Sequence, residues 1–107
     1  TFIMFWDAAC GACRIFNRKM NDIIKTIDLD KVAIIGVSLD SNKLTWKKAI
    51  KEDKVTWTQL NIKEGFDSEI TKTLNFNALP YDLLVDKSLI IRANGYDKSF
   101  EILSKIK

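Results

Sequence analysis

The stretch Thr1–Arg14, TFIMFWDAACGACR, places two cysteines in a C-x-x-C spacing directly after an apolar run. The run Thr1–Trp6 predicts a core strand, and apolar residues recurring at helical spacing predict an amphipathic helix after it. Cys10 then falls near the N-terminus of that helix, and Cys13 lies one turn inside it. Free amides and the positive end of the helix dipole favour a thiolate at Cys10, and the thiolate attacks in disulfide exchange. The pattern predicts Cys10 as a nucleophile and Cys13 as its resolving partner.

Three other uses of the cysteine pair are a structural disulfide, half of a zinc site, and two inert buried thiols. Structural zinc takes four ligands, usually from Cys or His, and the sequence has two Cys and no His. Closing a loop of four residues stabilises a fold by only about 2 kcal/mol in the chain-entropy estimate. A redox pair is therefore favoured, inert thiols stay open, and neither a metal nor a cofactor is expected.

The composition limits the possible classes of protein. The chain has 107 residues, enough for one core, with 47% hydrophobic and 29% charged residues. Its net charge is +3 with the signs interspersed, which argues against nucleic-acid binding. No apolar run is long enough to span a membrane. We expect a single domain over residues 1–107, and the start inside a strand suggests a C-terminal fragment of a longer chain that lacks its N-terminal strands.

Strands and helices are predicted to alternate after the first helix. In chain order, the sequence predicts a buried strand at Val32–Val37, a helix from Asp40 or Ser41 to Glu52, a short strand or connector at Val55–Leu60, a helix from Asp67 or Ser68, a hairpin of Tyr81–Val85 and Ser88–Ala93, and a helix at Lys98–Lys105. The apolar residues expected to face inward on the helices include Ile15, Leu44, Ala49, Ile50, Ile70 and Leu74.

Four segments together resemble one protein family. They are Phe5–Arg14, the strand and its exit at Val32–Asp40, Ala78–Pro80, and Leu83–Lys87. The chain is similar in them to the thioredoxin superfamily, in particular to its TlpA/ResA-like, AhpC/TSA-related branch. This resemblance implies an α/β thioredoxin-like fold, with a central mixed β-sheet flanked by helices in three α/β/α layers.

The family also implies a site and an activity. Pro80 matches the cis-proline opposite the cysteine pair, and Leu79 matches the residue whose backbone meets a substrate peptide. The substrate-binding residues expected on this basis are Trp6, Ala9, Gly11, Ala12, Leu79 and Pro80. The implied activity is thiol-disulfide oxidoreduction of protein substrates through a mixed disulfide, with an upstream electron-donor protein as a second partner. Relatives of this branch are commonly exported and anchored, which implies a periplasmic or otherwise extracytoplasmic location with a membrane anchor in the full-length protein.

The chain departs from the family where a proton acceptor is expected. Met4 stands where thioredoxins bury an aspartate, and Phe16 stands where ResA-like proteins often carry a glutamate. Proton transfer from Cys13 would then rely on Asp7, a water molecule or the substrate. Ala12 replaces a proline of thioredoxin, so we expect its N–H to stabilise the Cys10 thiolate, with the exposed charge of Arg14 acting in the same sense.

Two other functions remain open at this stage. One is a peroxiredoxin-like peroxidase, although Asp7 stands three residues before Cys10, where that class has a threonine. The other is a redox-responsive or peptide-binding module that uses the groove beside Pro80 without turnover.

Overall fold

A computed structural model of the chain describes residues 1–86, 88 and 91–95, the last five by their backbone. Strands and helices alternate through most of this part of the chain. In chain order they are β1 (Phe2–Trp6), α1 (Gly11–Ile23), β2 (Ile34–Ser38), α2 (Lys43–Glu52), β3 (Thr58–Asn61), a 3₁₀-helix (Gly65–Asp67), α3 (Glu69–Leu74), β4 (Tyr81–Val85) and β5 (Ile91–Gly95).

The strands form one mixed sheet in the order β3-β2-β1-β4-β5. β1 is parallel to β2, and β2 is parallel to β3, while β4 is antiparallel to both β1 and β5. Met4 at the centre of β1 lies opposite Gly36 on one side and Asp82 on the other. Because β4 runs against β1, the chain that enters β4 lies beside the chain that leaves β1.

Helices cover both faces of the sheet. On one face, Phe2, Met4 and Trp6 pack against side chains of α1 and α2, and the rings of Phe2 and Phe16 stack with centroids 6.5 Å apart. On the other face, Phe5 and Tyr81 pack against Phe76, which follows α3. The predicted thioredoxin-like α/β/α architecture is confirmed.

Three apolar residues expected to face inward are instead exposed. Ile15, Leu44 and Ile70 are 52%, 79% and 43% exposed. In α1 the buried stripe is Cys13, Phe16, Asn17 and Met20, so a polar residue occupies an inner position and Ile15 lies outside the stripe.

The element boundaries also differ in places from the sequence predictions. α2 is capped by Asn42, whose Oδ1 accepts from the Leu44 N–H, and not by Asp40 or Ser41. α3 is capped by Ser68, as predicted. β2 begins two residues after Val32, β3 covers only the end of the predicted segment and Asn61, and β5 covers residues 91–95. The helix predicted at Lys98–Lys105 lies outside the described residues.

Gly36 makes room for a hydrogen bond that anchors β1 to the edge of the sheet. The indole Nε1 of the fully buried Trp6 donates to Oε1 of Gln59 at 3.1 Å. A Cβ at position 36 would overlap the amide group of the Gln59 side chain. Any side chain at position 36 therefore displaces the acceptor of Trp6.

We expect Gly36→Ala to lower the free energy of unfolding by about 1–3 kcal/mol, because it leaves the buried indole N–H without its acceptor. Urea denaturation of the oxidised protein measures the change. Gly11→Ala is the matched control, since an added Cβ there has nothing within 4 Å and lies in a helix, so its effect should stay within about 1 kcal/mol. Equal destabilisation by the two variants would contradict this account.

Candidate active site

Cys10 is the N-cap residue of α1. Its backbone is extended, with φ −84° and ψ 106°, and its Sγ accepts a hydrogen bond of 3.1 Å from the backbone N–H of Cys13. The expected donor, the Ala12 N–H, is corrected: an N-cap side chain can accept from the amide two or three residues on, and here the donor is the Cys13 N–H. The sequence placed Cys10 at the helix start correctly and misplaced the donor by one residue.

The two cysteines form a disulfide, and their Cα atoms lie 5.2 Å apart. Cys10 is partly exposed, whereas Cys13 is 0% exposed and belongs to the core cluster beneath α1. An incoming thiol or disulfide can therefore reach Cys10 and not Cys13.

The loop before β4 closes the site from the opposite side. The Leu79–Pro80 peptide bond is cis, as predicted. The carbonyl oxygen of Leu79 lies 3.7 Å from Sγ of Cys10, although the two residues are 69 positions apart in the chain. The C-x-x-C motif and the segment before Pro80, which the sequence analysis singled out separately, are therefore in contact in the folded chain.

An open groove of about 350 Å³ runs beside the Cys10 sulfur. The residues that line it are Asp7, Ala9, Cys10, Phe66, Asn77, Ala78 and Leu79. Ala9 and Leu79 were expected in it from the sequence. Asp7, Phe66 and Asn77 were not expected there. Phe66 belongs to the 3₁₀-helix, and only folding brings this turn close to the cysteines.

The other predicted contact residues lie elsewhere. Trp6 as a substrate contact is wrong, because it is 0% exposed and packs in the core beneath the site. Gly11 and Ala12 are exposed on the first turn of α1 but do not line the groove, and Pro80 is partly buried behind Leu79.

The loop between β1 and Cys10 is held from one side by Asp40. Both carboxylate oxygens of Asp40 accept from the Ala8 N–H, at 3.0 and 3.2 Å, and the hydroxyl of Ser38 donates to the same carboxylate at 2.6 Å. Asn61 Nδ2 donates to the Asp40 carbonyl at 2.9 Å, which fixes the chain that carries the carboxylate. These hydrogen bonds hold the loop between β1 and Cys10 in a fixed position relative to the end of β2.

Asp53, at the end of α2, holds the same loop from the other side through Arg14. The Asp53 side chain is 1% exposed and accepts from Nε of Arg14 at 2.6 Å and from Arg18 at 3.2 Å, while Arg14 also donates to the Ala8 carbonyl at 3.2 Å. The hydrogen bond to Asp53 raises the pKa of Arg14 above its usual value. The expected role of Arg14 as a free charge beside the thiolate is corrected, because its charge is committed to Asp53.

We expect Asp53→Asn to lower the free energy of unfolding by about 2–3 kcal/mol, since it leaves two guanidinium groups without their buried carboxylate. Glu52→Gln is the matched control. Glu52 pairs with Arg14 at 3.6 Å from a half-exposed side chain, so its loss should change the free energy by less than about 1 kcal/mol. Chemical denaturation compares the two, and a similar cost for both would show that burial of Asp53 is unimportant.

Asp7 lines the groove beside Cys10 and carries an ionisable side chain. Burial raises its pKa, the charge of Asp40 raises it further, and the backbone N–H groups of Cys10 and Ala9 act in the opposite direction. Within residues 1–86, Oδ1 of Asp7 is buried without a hydrogen-bond partner. The neutral acid is therefore favoured here more than in a solvated aspartate.

A raised pKa gives Asp7 a defined effect on stability. Between its ordinary pKa of 3.8 and its higher folded value, the folded state binds more protons than the unfolded state, so stability is lost as the pH rises through this window. We expect Asp7→Asn to match the wild type below this window and to be more stable than the wild type above it. Thermal unfolding of both proteins from pH 3 to 7 measures the difference. A wild type that is more stable than Asp7→Asn at pH 7 would contradict the raised pKa.

Neither metal ligation nor membrane insertion is supported by the part of the chain that the structure describes. Within it, no three His, Cys, Asp or Glu side chains converge as a metal site. The helices in the same part are too short or too polar to cross a bilayer.

Comparison with known proteins gives the same family as the geometry. Residues 1–91 match the family model of thioredoxin-like proteins, and the chain therefore belongs to the thioredoxin-like family. No curated protein matches it significantly.

Several solved structures are similar along nearly the whole chain. The thioredoxin domain of a thiol-disulfide oxidoreductase from Bacteroides vulgatus is 29% identical with a TM-score of 0.83, and the match covers 97% of this chain and 76% of that one. A thiol-disulfide oxidoreductase from Bacteroides fragilis is 26% identical, with a TM-score of 0.79 and coverage of 94% and 79%. A thiol:disulfide interchange protein from a Bacteroides species is 28% identical, with a TM-score of 0.79 and coverage of 98% and 71%.

Proposed function

We propose that this chain is a thiol-disulfide oxidoreductase that reduces or exchanges disulfides of protein substrates through Cys10 and Cys13. One observation carries the proposal. Cys10 is partly exposed at the N-terminus of α1, and its sulfur lies beside the backbone of Leu79, the residue before the cis-proline. One sulfur is accessible and the other is buried, and the Leu79 carbonyl lies 3.7 Å from the accessible one.

The reaction begins with reduced cysteines. The Cys10 thiolate attacks one sulfur of a substrate disulfide, forms a mixed disulfide and expels the other substrate sulfur as a thiolate, which takes up a proton. Cys13 then loses its proton and attacks Sγ of Cys10, which releases the second substrate thiol. The substrate gains two electrons, the Cys10–Cys13 disulfide forms, and a dithiol donor protein restores the reduced pair.

The helix terminus increases the share of Cys10 that is present as the attacking thiolate. The Cys13 N–H and the N-terminal end of the α1 dipole stabilise negative charge on the Cys10 sulfur. This stabilisation lowers the pKa of an N-terminal thiol, so that more of it is thiolate at neutral pH.

The groove fits an extended peptide beside the reacting sulfur. Leu79 offers main-chain groups for pairing with a substrate strand. The small side chain of Ala9 leaves room for a peptide in the groove, and Phe66, which is 42% exposed, offers an apolar contact. We assign Leu79 and Ala9 to substrate binding on this basis, and Pro80 to holding Leu79 in place through the cis peptide bond. Contacts of Gly11 and Ala12 with the same substrate stay a prediction from the sequence.

An extracytoplasmic location is part of the proposal. Its support is the resemblance to the TlpA/ResA-like branch, whose members are commonly exported. A membrane anchor, and the placement of residues 1–107 within a longer chain, stay predictions.

We expect Cys13→Ser to trap substrates as mixed disulfides on Cys10, because the resolving thiol is lost, and Cys10→Ser to trap none. Insulin reduction in the presence of dithiothreitol should fall to background for both variants. Iodoacetamide at neutral pH should label Cys10 before Cys13 in the reduced wild type. Faster labelling of Cys13 would reverse the assignment of the two roles, and a wild type without insulin reduction would favour a non-catalytic binding module.

A further inference from the structure

The groove beside Cys10 contains a carboxylate whose charge is not balanced by a cation of the described residues. Asp7 lines this groove together with Cys10, and none of the described residues that line it is Lys or Arg. Asp7 forms no ion pair within the described part of the chain, and Arg14, the cation that follows the cysteine pair, is bound to Asp53. The groove therefore carries negative charge beside the reacting sulfur.

A second carboxylate strengthens this negative charge. Asp40 accepts from the N–H of Ala8, the residue after Asp7, at 3.0 Å and from the Ser38 hydroxyl at 2.6 Å. Both donors are uncharged, so they hold the Asp40 carboxylate in place without neutralising it. Burial raises the pKa of Asp7, and the charge of Asp40 raises it further. The two carboxylates repel each other, and a cation in the groove would be attracted by both.

The negative charge at the groove is opposite in sign to the charge of the whole chain. The net charge is +3, and the buried Asp53 accepts from two arginines, Arg14 and Arg18. A carboxylate beside Cys10 also opposes the formation of the Cys10 thiolate, because like charges disfavour each other. A cationic substrate would offset this cost during the reaction, whereas an acidic substrate would add to it.

The groove also offers apolar surface for the stem of a basic side chain. Phe66 is 42% exposed and lines the same groove as Asp7. Lys and Arg carry an aliphatic stem that packs on apolar surface and a charged end that stays near water or an acid. An exposed aromatic ring and a carboxylate in one groove therefore suit Lys or Arg better than an acidic or a small polar side chain.

We propose that Asp7 makes this groove select substrate disulfides whose cysteine is next to a Lys or Arg residue, an inference that rests on the proposed function. In the mixed disulfide with Cys10, the substrate main chain lies along Leu79, and the basic side chain beside the substrate cysteine lies in the groove with Asp7 and Phe66. Asp7 is a specificity-determining residue in this role and takes no part in the exchange of sulfur bonds. Attraction between the opposite charges speeds formation of the mixed disulfide and weakens with ionic strength.

Matched peptides test this selection at pH 7.5. Three peptides share one sequence with a single cysteine, which carries a 2-thiopyridyl disulfide, and they have Lys, norleucine or Glu on both sides of that cysteine. The thiolate of Cys10 in the reduced protein attacks the peptide sulfur, the mixed disulfide forms, and thiopyridone leaves and is followed by its absorbance. Each rate constant is divided by that of 2-mercaptoethanol with the same peptide, since peptide charge also changes the intrinsic reactivity of the disulfide.

We expect the wild type to react about three to five times faster with the Lys peptide than with the norleucine peptide, and most slowly with the Glu peptide. Asp7→Asn should lower the ratio of the Lys to the norleucine rate at least twofold, and Asp7→Glu should keep it. A change in the pKa of Cys10 cancels in this ratio, because the thiolate fraction affects all peptides alike. Added NaCl at 0.5 M should lower the wild-type ratio in the same way.

Asp22→Asn is the matched control, because it removes one negative charge from the other end of α1. Asp22 is exposed and lies about 18 Å from Cys10 by helical rise, beyond the screening length of about 8 Å at physiological ionic strength. We expect this variant to keep the wild-type ratio.

The outcomes distinguish this inference from the proposed function. A wild type without a preference for the Lys peptide, a preference that survives in Asp7→Asn, or an equal loss in Asp22→Asn would overturn the role of Asp7 and leave the oxidoreductase intact. A wild type that releases thiopyridone from every peptide no faster than 2-mercaptoethanol does would overturn the proposed function itself.

Discussion

The pairing of β1 with β4 in opposite directions is the constraint on which the site depends. Because the two strands are antiparallel, the end of β1 and the start of β4 lie at the same edge of the sheet. Cys10 follows the first strand and Leu79 precedes the other, so the register that joins Phe5 to Tyr81 also brings the cysteine sulfur to the Leu79 carbonyl. A shift of two residues along this pair would move the loops apart by about 7 Å and separate the nucleophile from its groove.

The loop that carries Cys10 needs more than strand pairing, because three residues separate the end of β1 from the cap of α1. Its backbone is tied at one residue, Ala8, from both directions: the N–H binds Asp40 after β2, and the carbonyl binds Arg14 of α1, which Asp53 holds in place. Two elements adjacent to β1 thereby fix a single peptide segment. The reacting sulfur is positioned by charged groups that never touch it.

The sequence predicts the parts of the site that local chemistry determines. The C-x-x-C spacing after a strand fixes Cys10 as a helix cap, and the lone Pro80 before a hairpin indicates the facing loop. Apolar spacing alone is weaker, since Asn17 takes an inner position of α1 through its contact with Asp53 and Ile15 is left outside. The inward position of Asp82 was not predicted, because a single charge inside the run Tyr81–Val85 has no local signature, and only the register shows that it lies opposite Met4.

The aspartates around the cysteine pair differ in how completely their charges are satisfied. Asp40 and Asp53 each accept several hydrogen bonds, which suits groups that hold backbone in place. Asp7 has one buried oxygen without a donor in the described part of the chain, and its pKa is raised. Structural carboxylates in a fold are normally saturated with donors, because an unsatisfied buried oxygen costs about 1–3 kcal/mol. The fold bears that cost at Asp7, beside Cys10.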